Sequence, residues 1–200
     1  GNLFLGHTRL SVIDLSVQSN QPIWDVRKRA CMVFNGEIYN YKELRADLIA
    51  KGYQFTSMGD AEVILNLFLD QGVSCFELLR GVFSFAIWSE ESQSLFLVRD
   101  QFGVKPLYYC SSDSGFVFGS EMKSILETGF VEKNIDHDAL FRSFVFLYSP
   151  GESTLIQGIK KLGPGTYLEV KNHKIVSSVK YWEWPAYQPD MDKSEDEFST

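Results

Sequence analysis

The sequence predicts an α+β sandwich of stacked antiparallel sheets with helices as the outer layers. Segments with period-two hydrophobicity come in neighbouring pairs separated by short polar turns, as hairpins do. Segments with helical periodicity stand in blocks between those pairs. Several of the strands are apolar on both faces, which suits sheets covered on both sides.

In chain order, residues 3–14 are rich in apolar and β-branched types and read as a strand. His7 and Arg9 interrupt an otherwise apolar pattern there. Residues 18–22 read as a loop, and 30–34 as the strand that delivers Asn35. Asn40 is placed to cap a helix, with Glu43 completing a capping box three residues on. Leu44, Leu48 and Ile49 give that helix an apolar stripe, and Gly52 a stop. A second helix follows Gly59-Asp60-Ala61-Glu62, with Asp60 as its N-cap and Val63, Ile64, Leu67 and Phe68 on its buried face. It ends at Gly72. From Gly81 the period becomes two. Residues 82–88 pair with 94–98, residues 107–110 with 116–120, and residues 166–170 with 174–179 across Asn172-His173. Residues 121–127 and 138–146 read as helices, the latter capped by Asp136. The aromatic run Tyr181-Trp182-Glu183-Trp184 leads into a polar linker. There are no internal repeats.

With 200 residues, 44% of them hydrophobic, the chain can bury a sizeable core. A net charge of -7 argues against an unassisted nucleic-acid binder. No apolar run reaches the length of a membrane span, so no membrane association is expected. Cys31, Cys75 and Cys110 lack metal-ligand spacing, and each sits in an apolar setting. They read as reduced packing residues, which suits the cytoplasm. The chain opens Gly1-Asn2-Leu3, as if already in a strand, and residues 190–200 stop without closing any element. A piece of a longer protein is the expectation.

The stretch Met32 to Tyr41 organises the chain. An apolar run ends in Asn35-Gly36-Glu37, and a helix start follows at once. Asn-Gly is a common two-residue turn, since both residues tolerate positive φ. It is also a candidate oxyanion hole at a strand end, the Asn35 amide and the Gly36 N–H facing one developing negative charge. Arg9 by itself suits an ion pair at a rim, and Asp60 by itself a helix cap. Together with Asn35, Gly36 and Glu37 they form a set complementary to a free amino acid. A guanidinium fork fits an α-carboxylate, and a carboxylate such as Asp60 or Glu37 fits an α-ammonium.

Four ordered motifs extend this set: Gly6-His7-Thr8-Arg9-Leu10-Ser11-Val12-Ile13-Asp14-Leu15, Phe34-Asn35-Gly36-Glu37-Ile38-Tyr39-Asn40, Gly59-Asp60-Ala61-Glu62-Val63-Ile64 and Arg99-Asp100-Gln101-Phe102-Gly103-Val104-Lys105-Pro106-Leu107-Tyr108-Tyr109. With them the chain closely resembles, over residues 1–185, the glutaminase domain of glutamine-hydrolysing asparagine synthetases. That domain is a class II glutamine amidotransferase, one of the N-terminal-nucleophile hydrolases.

The resemblance implies a four-layer αββα fold. It implies that Arg9 binds the glutamine α-carboxylate, that Glu37 and Asp60 hold its α-ammonium, and that Asn35 and Gly36 supply the oxyanion hole. Backbone around Leu10 and Val12 would line the same pocket. Where the family usually has Ser or Thr beside the aspartate, this chain has Gly59 and Ala61, which touches only local hydrogen bonding. The family's nucleophile is a cysteine at the mature N-terminus, and Cys31, Cys75 and Cys110 are all internal to matched segments. The sequence as given is therefore expected to be inactive alone. The Arg99 to Tyr109 motif reads as structural, since Gly103 and Pro106 mark a tight turn, and its expected place is the interface with the synthetase domain. His7 reads as a packed or supporting imidazole.

Residues 186–200 resemble a linker and the start of the ATP-dependent synthetase domain, the partner expected in cis. Mg-ATP belongs to that domain, and no cofactor or metal is expected in residues 1–185. A homodimer is compatible with this reading. Two rivals remain: an amidotransferase for another acceptor, such as a sugar or antibiotic precursor, and a non-catalytic glutaminase-like scaffold.

Overall fold

Where the hydrophobic pattern changes period, the chain changes element. A computed structural model describes residues 3–8 and 19–185. Its strands are β1 (Ile23–Trp24), β2 (Ala30–Ile38), β3 (Gly81–Ser89), β4 (Ser94–Arg99), β5 (Tyr108–Ser112), β6 (Gly115–Gly119), β7 (Lys160–Lys161), β8 (Thr166–Lys171) and β9 (Lys174–Lys180). Its helices are α1 (Tyr41–Ala50), α2 (Asp60–Gln71), α3 (Met122–Leu126) and α4 (His137–Phe146), with a 3₁₀ segment Gly72–Leu78 after α2. Among the described residues, β1-β2-β3-β4-β8-β9 form one antiparallel sheet and β6-β5-β7 a second. The three hairpins predicted from the sequence all form.

Alternation along the strands sorts side chains into three apolar layers. Met32, Phe34, Phe83, Phe85 and Val98 face α1 and α2, packing on Leu48, Ile64, Leu67 and Phe76. Val33, Ala86, Leu97 and Leu168 point the other way and meet Tyr109 of the second sheet, with Leu107 and Leu162 at the ends of its strands. The far side of that sheet, at Cys110 and Val117, is covered by Ile125 and Met122 of α3. Helix, sheet, sheet, helix is the αββα sandwich. A fully buried side chain such as Phe76 contributes about 1.5–3 kcal/mol.

Several local details depart from the sequence reading. Residues 3–8 take no regular secondary structure, and the rest of the predicted first strand lies outside the described residues. Asn40 stands at the start of α1 but makes no side-chain cap. Its amide instead donates to the Leu78 carbonyl at 2.9 Å and accepts from the Arg80 N–H at 3.0 Å, joining α1 to the approach to β3. A long-range pair of bonds has replaced the local capping box. Ile49, placed on the apolar stripe, is 55% exposed, because α1 rests on the core through Leu44 and Leu48. Strands β1 and β7, two residues each, are too short to leave a period in the sequence. Asp136 does cap α4, accepting from the Ala139 N–H at 2.9 Å.

The Arg99 to Tyr109 motif is a knot of buried charge. Asp100 is fully buried, and its carboxylate accepts from the N–H groups of Phe83 (3.2 Å), Phe102 (3.0 Å), Val104 (2.9 Å) and Lys105 (3.0 Å). The Arg99 guanidinium donates to the carbonyls of Lys105 at 2.8 Å, and of Leu162 and Gly103 at 2.5 Å. Burial pulls its pKa below the usual arginine range. Gly103 adopts φ +66, and a Cβ there would press on the Arg99 guanidinium at 3.0 Å. Tyr181 closes the knot by donating to the Arg99 carbonyl at 2.7 Å. Together these bonds fasten β3 and β4 to the strand pair of the second sheet. Replacing Asp100 by Ala leaves four N–H groups without their acceptor, that of buried Phe83 among them, and is expected to lower the unfolding free energy by about 3 kcal/mol. Urea denaturation checks this, and a loss below about 1 kcal/mol would contradict the role given to the carboxylate.

Candidate active site

Asn35, Gly36 and Glu37 do not form a turn, and they do not follow the strand. They are ladder residues of β2, opposite Ser84, Phe83 and Val82 of β3. The reason is at Gly36. Its φ of +146 suits glycine alone, and a Cβ there would overlap the Val82 carbonyl oxygen. The two backbones approach too closely for any side chain, so a dipeptide that usually bends a chain here stays paired. Gly81 is the counterpart on β3, where a Cβ would overlap the Glu37 carbonyl.

Asn35 lies on the inter-sheet side with Val33, and its Nδ2 donates to Ser120 Oγ across the gap at 3.4 Å. On the neighbouring position, the Gln21 amide pairs with both backbone groups of Phe34, at 2.5 and 3.1 Å. Neither Gln21 nor Ser120 was a candidate from the sequence. Only the fold brings residues 13 and 85 positions away against β2.

Asp60 is the first residue of α2, not its cap. Gly59 takes the cap position, and the Asp60 carboxylate accepts from the Ile38 N–H at 2.9 Å. This ties the Gly59–Ile64 motif to the end of the Phe34–Asn40 motif. Asp60 is buried, and burial raises its pKa; hydrogen bonds from Ile38 and from the start of α2 oppose that, while the charge of Glu37 adds to it. The Glu37 and Asp60 carboxylates therefore stand near enough to feel one another.

The loop that carries Asp60 is held by Glu62, which is also buried. Its carboxylate accepts from the Thr56 N–H (2.8 Å) and hydroxyl (3.0 Å), and from the Ser57 N–H and hydroxyl (2.7 Å each). A glutamate two places after the aspartate was legible in the sequence as part of a motif, but its role as a clasp was not.

These residues open on one cavity of about 1350 Å³ between the two sheets. Asn35, Gly36, Glu37 and Asp60 all line it, as do His7, Thr8 and Ser120. The structure thus brings together four of the predicted site residues. The other three, Arg9, Leu10 and Val12, lie outside the described residues. Cys31, Cys75 and Cys110 are buried and unpaired by disulfides. Burial raises all three pKa values, that of Cys31 to about 11, so none is a ready thiolate. Among the described residues, no group of three or more His, Cys, Asp or Glu is placed to hold a metal, and no helix is long and apolar enough to cross a membrane.

The layers and the site define an N-terminal-nucleophile hydrolase fold. A solved glutamine phosphoribosylpyrophosphate amidotransferase from Bacillus subtilis shares it, with a TM-score of 0.60 at 18% identity over 88% of this chain and 34% of that one. Residues 1–182 match the glutamine amidotransferase domain family, and the chain belongs to it. Two glutamine-hydrolysing asparagine synthetases of Bacillus subtilis are similar: number 3 is 34% identical over 90% of this chain, and number 1 is 39% identical over 83%. The chain spans 30% and 26% of the length of these two relatives.

Two outcomes follow from the carboxylates. Glu62→Ala leaves the Thr56 and Ser57 donors without their acceptor and is expected to cost about 3 kcal/mol in urea denaturation. Asp60 has a pKa raised on folding, so its favourable contribution is complete below the unfolded value of 3.8 and is lost as pH rises through the folded value. The melting temperature of Asp60→Asn should therefore gain on that of the wild type between pH 4 and pH 7. A constant difference would remove the buried-charge account.

Proposed function

We propose that this chain is the glutaminase part of an asparagine synthetase, releasing ammonia from glutamine for the ATP-dependent amidation of aspartate. The observation that carries the reading is the convergence of Asn35, Gly36, Glu37 and Asp60 on one cavity. In it, Glu37 and Asp60 receive the α-ammonium of glutamine and Arg9 its α-carboxylate, with backbone near Leu10 and Val12 alongside. The side-chain amide then faces Asn35 Nδ2 and the Gly36 N–H. A family-type N-terminal cysteine thiolate attacks that amide carbon, and the oxyanion that forms accepts hydrogen bonds from these two donors. Collapse expels ammonia and leaves a thioester, which water hydrolyses to glutamate. Burial raises the Asp60 pKa, and the N–H of Ile38 and those at the start of α2 oppose that rise.

The synthetase part, into which residues 186–200 lead, would hold Mg-ATP and aspartate; no residue of this chain is assigned to them. Buried, reduced cysteines fit a cytoplasmic setting. A scaffold that bound no glutamine would have no use for two carboxylates and an amide on one cavity wall.

The full-length polypeptide, given aspartate, ATP and glutamine, should form asparagine. Arg9→Ala should raise the KM for glutamine by at least about tenfold, about 1.4 kcal/mol, and leave synthesis driven by added ammonia unchanged. Absence of asparagine would overturn the acceptor; an unchanged KM would overturn the site.

A further inference from the structure

Gln21 makes the two bonds that a neighbouring strand would make. Strand β1 pairs with β2 in the register Ile23 opposite Met32 and Trp24 opposite Cys31. Carried one ladder step further, that register would set Gln21 opposite Phe34. There the side chain does the pairing in place of the backbone. Gln21 Oε1 accepts from the Phe34 N–H at 2.5 Å, and Nε2 donates to the Phe34 carbonyl at 3.1 Å. A primary amide carries the donor and the acceptor of a peptide unit, so β2 is satisfied at Phe34 with no strand beside it. The main chain at residue 21 stands off by the length of a glutamine side chain.

The directions of the backbone groups show what this leaves open. In an antiparallel ladder both groups of a residue face the same neighbour, and successive residues alternate. Tyr39 turns its N–H to the Arg80 carbonyl at 2.7 Å, so odd-numbered residues at this end of β2 face β3. Phe83, opposite Gly36, turns both of its groups the other way, to Asp100. Its N–H donates to the carboxylate at 3.2 Å, and its carbonyl accepts from the Asp100 N–H at 2.8 Å. Gly36 therefore faces away from β3, as Phe34 and Ile38 do. Gln21 closes Phe34, and the Asp60 carboxylate closes the Ile38 N–H. Between them on the same edge lies the Gly36 N–H, and Gly36 lines the cavity. A regular ladder continued past Gln21 would set the backbone of Ser19 against it.

We infer that Gln21 is a positioning residue for the oxyanion hole: it stands in for a strand at Phe34, ends the β1 ladder there, and keeps the Gly36 N–H open to the charge that develops on the substrate. The inference rests on the functional reading above. Gln21 acts through the backbone of β2, and the groups assigned to the α-carboxylate and α-ammonium of glutamine are others. An oxyanion-hole donor meets its full partner only in the transition state, so a misplaced one shows in turnover more than in binding.

Amide exchange in the wild-type full-length polypeptide tests the geometry without a variant. After correction for intrinsic rates, the Gly36 N–H should exchange at least about tenfold faster than those of Phe34 and Ile38. Equal protection of all three would overturn the inference. Glutamine hydrolysis by the same polypeptide then tests the role, with Asn35→Ala beside Gln21→Met, a side chain of the same length that has no N–H to donate. Gln21→Met should lower kcat at least about tenfold, leave the KM for glutamine within about twofold, and leave synthesis driven by added ammonia unchanged. An unchanged kcat in Gln21→Met, where Asn35→Ala has lost at least about tenfold, would overturn the role of Gln21 and leave the functional reading standing. A KM that rises as far as kcat falls would also overturn it, since Gln21 would then be a brace for the pocket as a whole. If Asn35→Ala keeps its kcat, or the wild type hydrolyses no glutamine, the functional reading fails and the inference falls with it.

Discussion

The close approach of Gly36 to the Val82 carbonyl sets the geometry on which the site depends. A strand in the middle of a sheet is rigid because both of its neighbours hold it, yet it offers little room for chemistry. The absence of a Cβ at Gly36 lets β2 and β3 stay paired through Asn35, Gly36 and Glu37. Polar groups are thus carried on a fixed ladder instead of a turn. Asn35 can then reach across the inter-sheet gap to Ser120, while Phe34 and Ile38 on the same strand are sealed in the helix-facing core.

Charge is placed inside this fold under two different rules. Asp100 and Glu62 are buried carboxylates with their acceptor positions filled, and they act as ties. One gathers the turn after β4, and the other gathers the loop before α2. Asp60 is buried with less compensation and with Glu37 nearby, so its charge stands at an electrostatic cost. Such a cost is what a cavity built to receive an ammonium would show, because the ligand supplies the missing positive charge. Stability and binding therefore pull in opposite directions at this residue, while the residues two places along secure it.

Much of the fold was legible from the sequence. The three hairpins, the buried face of α2 and the Asp136 cap follow from local periodicity and turn chemistry, and each forms as read. The local readings that failed share one cause. Asn40 and Asp60 are good capping residues, and each gave up the local cap for a partner elsewhere, at Leu78 and Arg80 in one case and Ile38 in the other. Asn35-Gly36 has the composition of a turn and became ladder. In all three, a tertiary bond outweighed a local preference of similar size.

By itself, the sequence put forward the candidate set: which side chains could meet a carboxylate, an ammonium and an oxyanion, and the order in which they occur. It did so because those residue types are few and stand where apolar residues would otherwise be. Tertiary structure alone decided that Glu37 and Asp60 share a cavity and that Ser120 and Gln21 brace β2. Those facts depend on contacts between residues far apart in the chain, and no local pattern records which distant backbone will approach closely enough to make a glycine necessary.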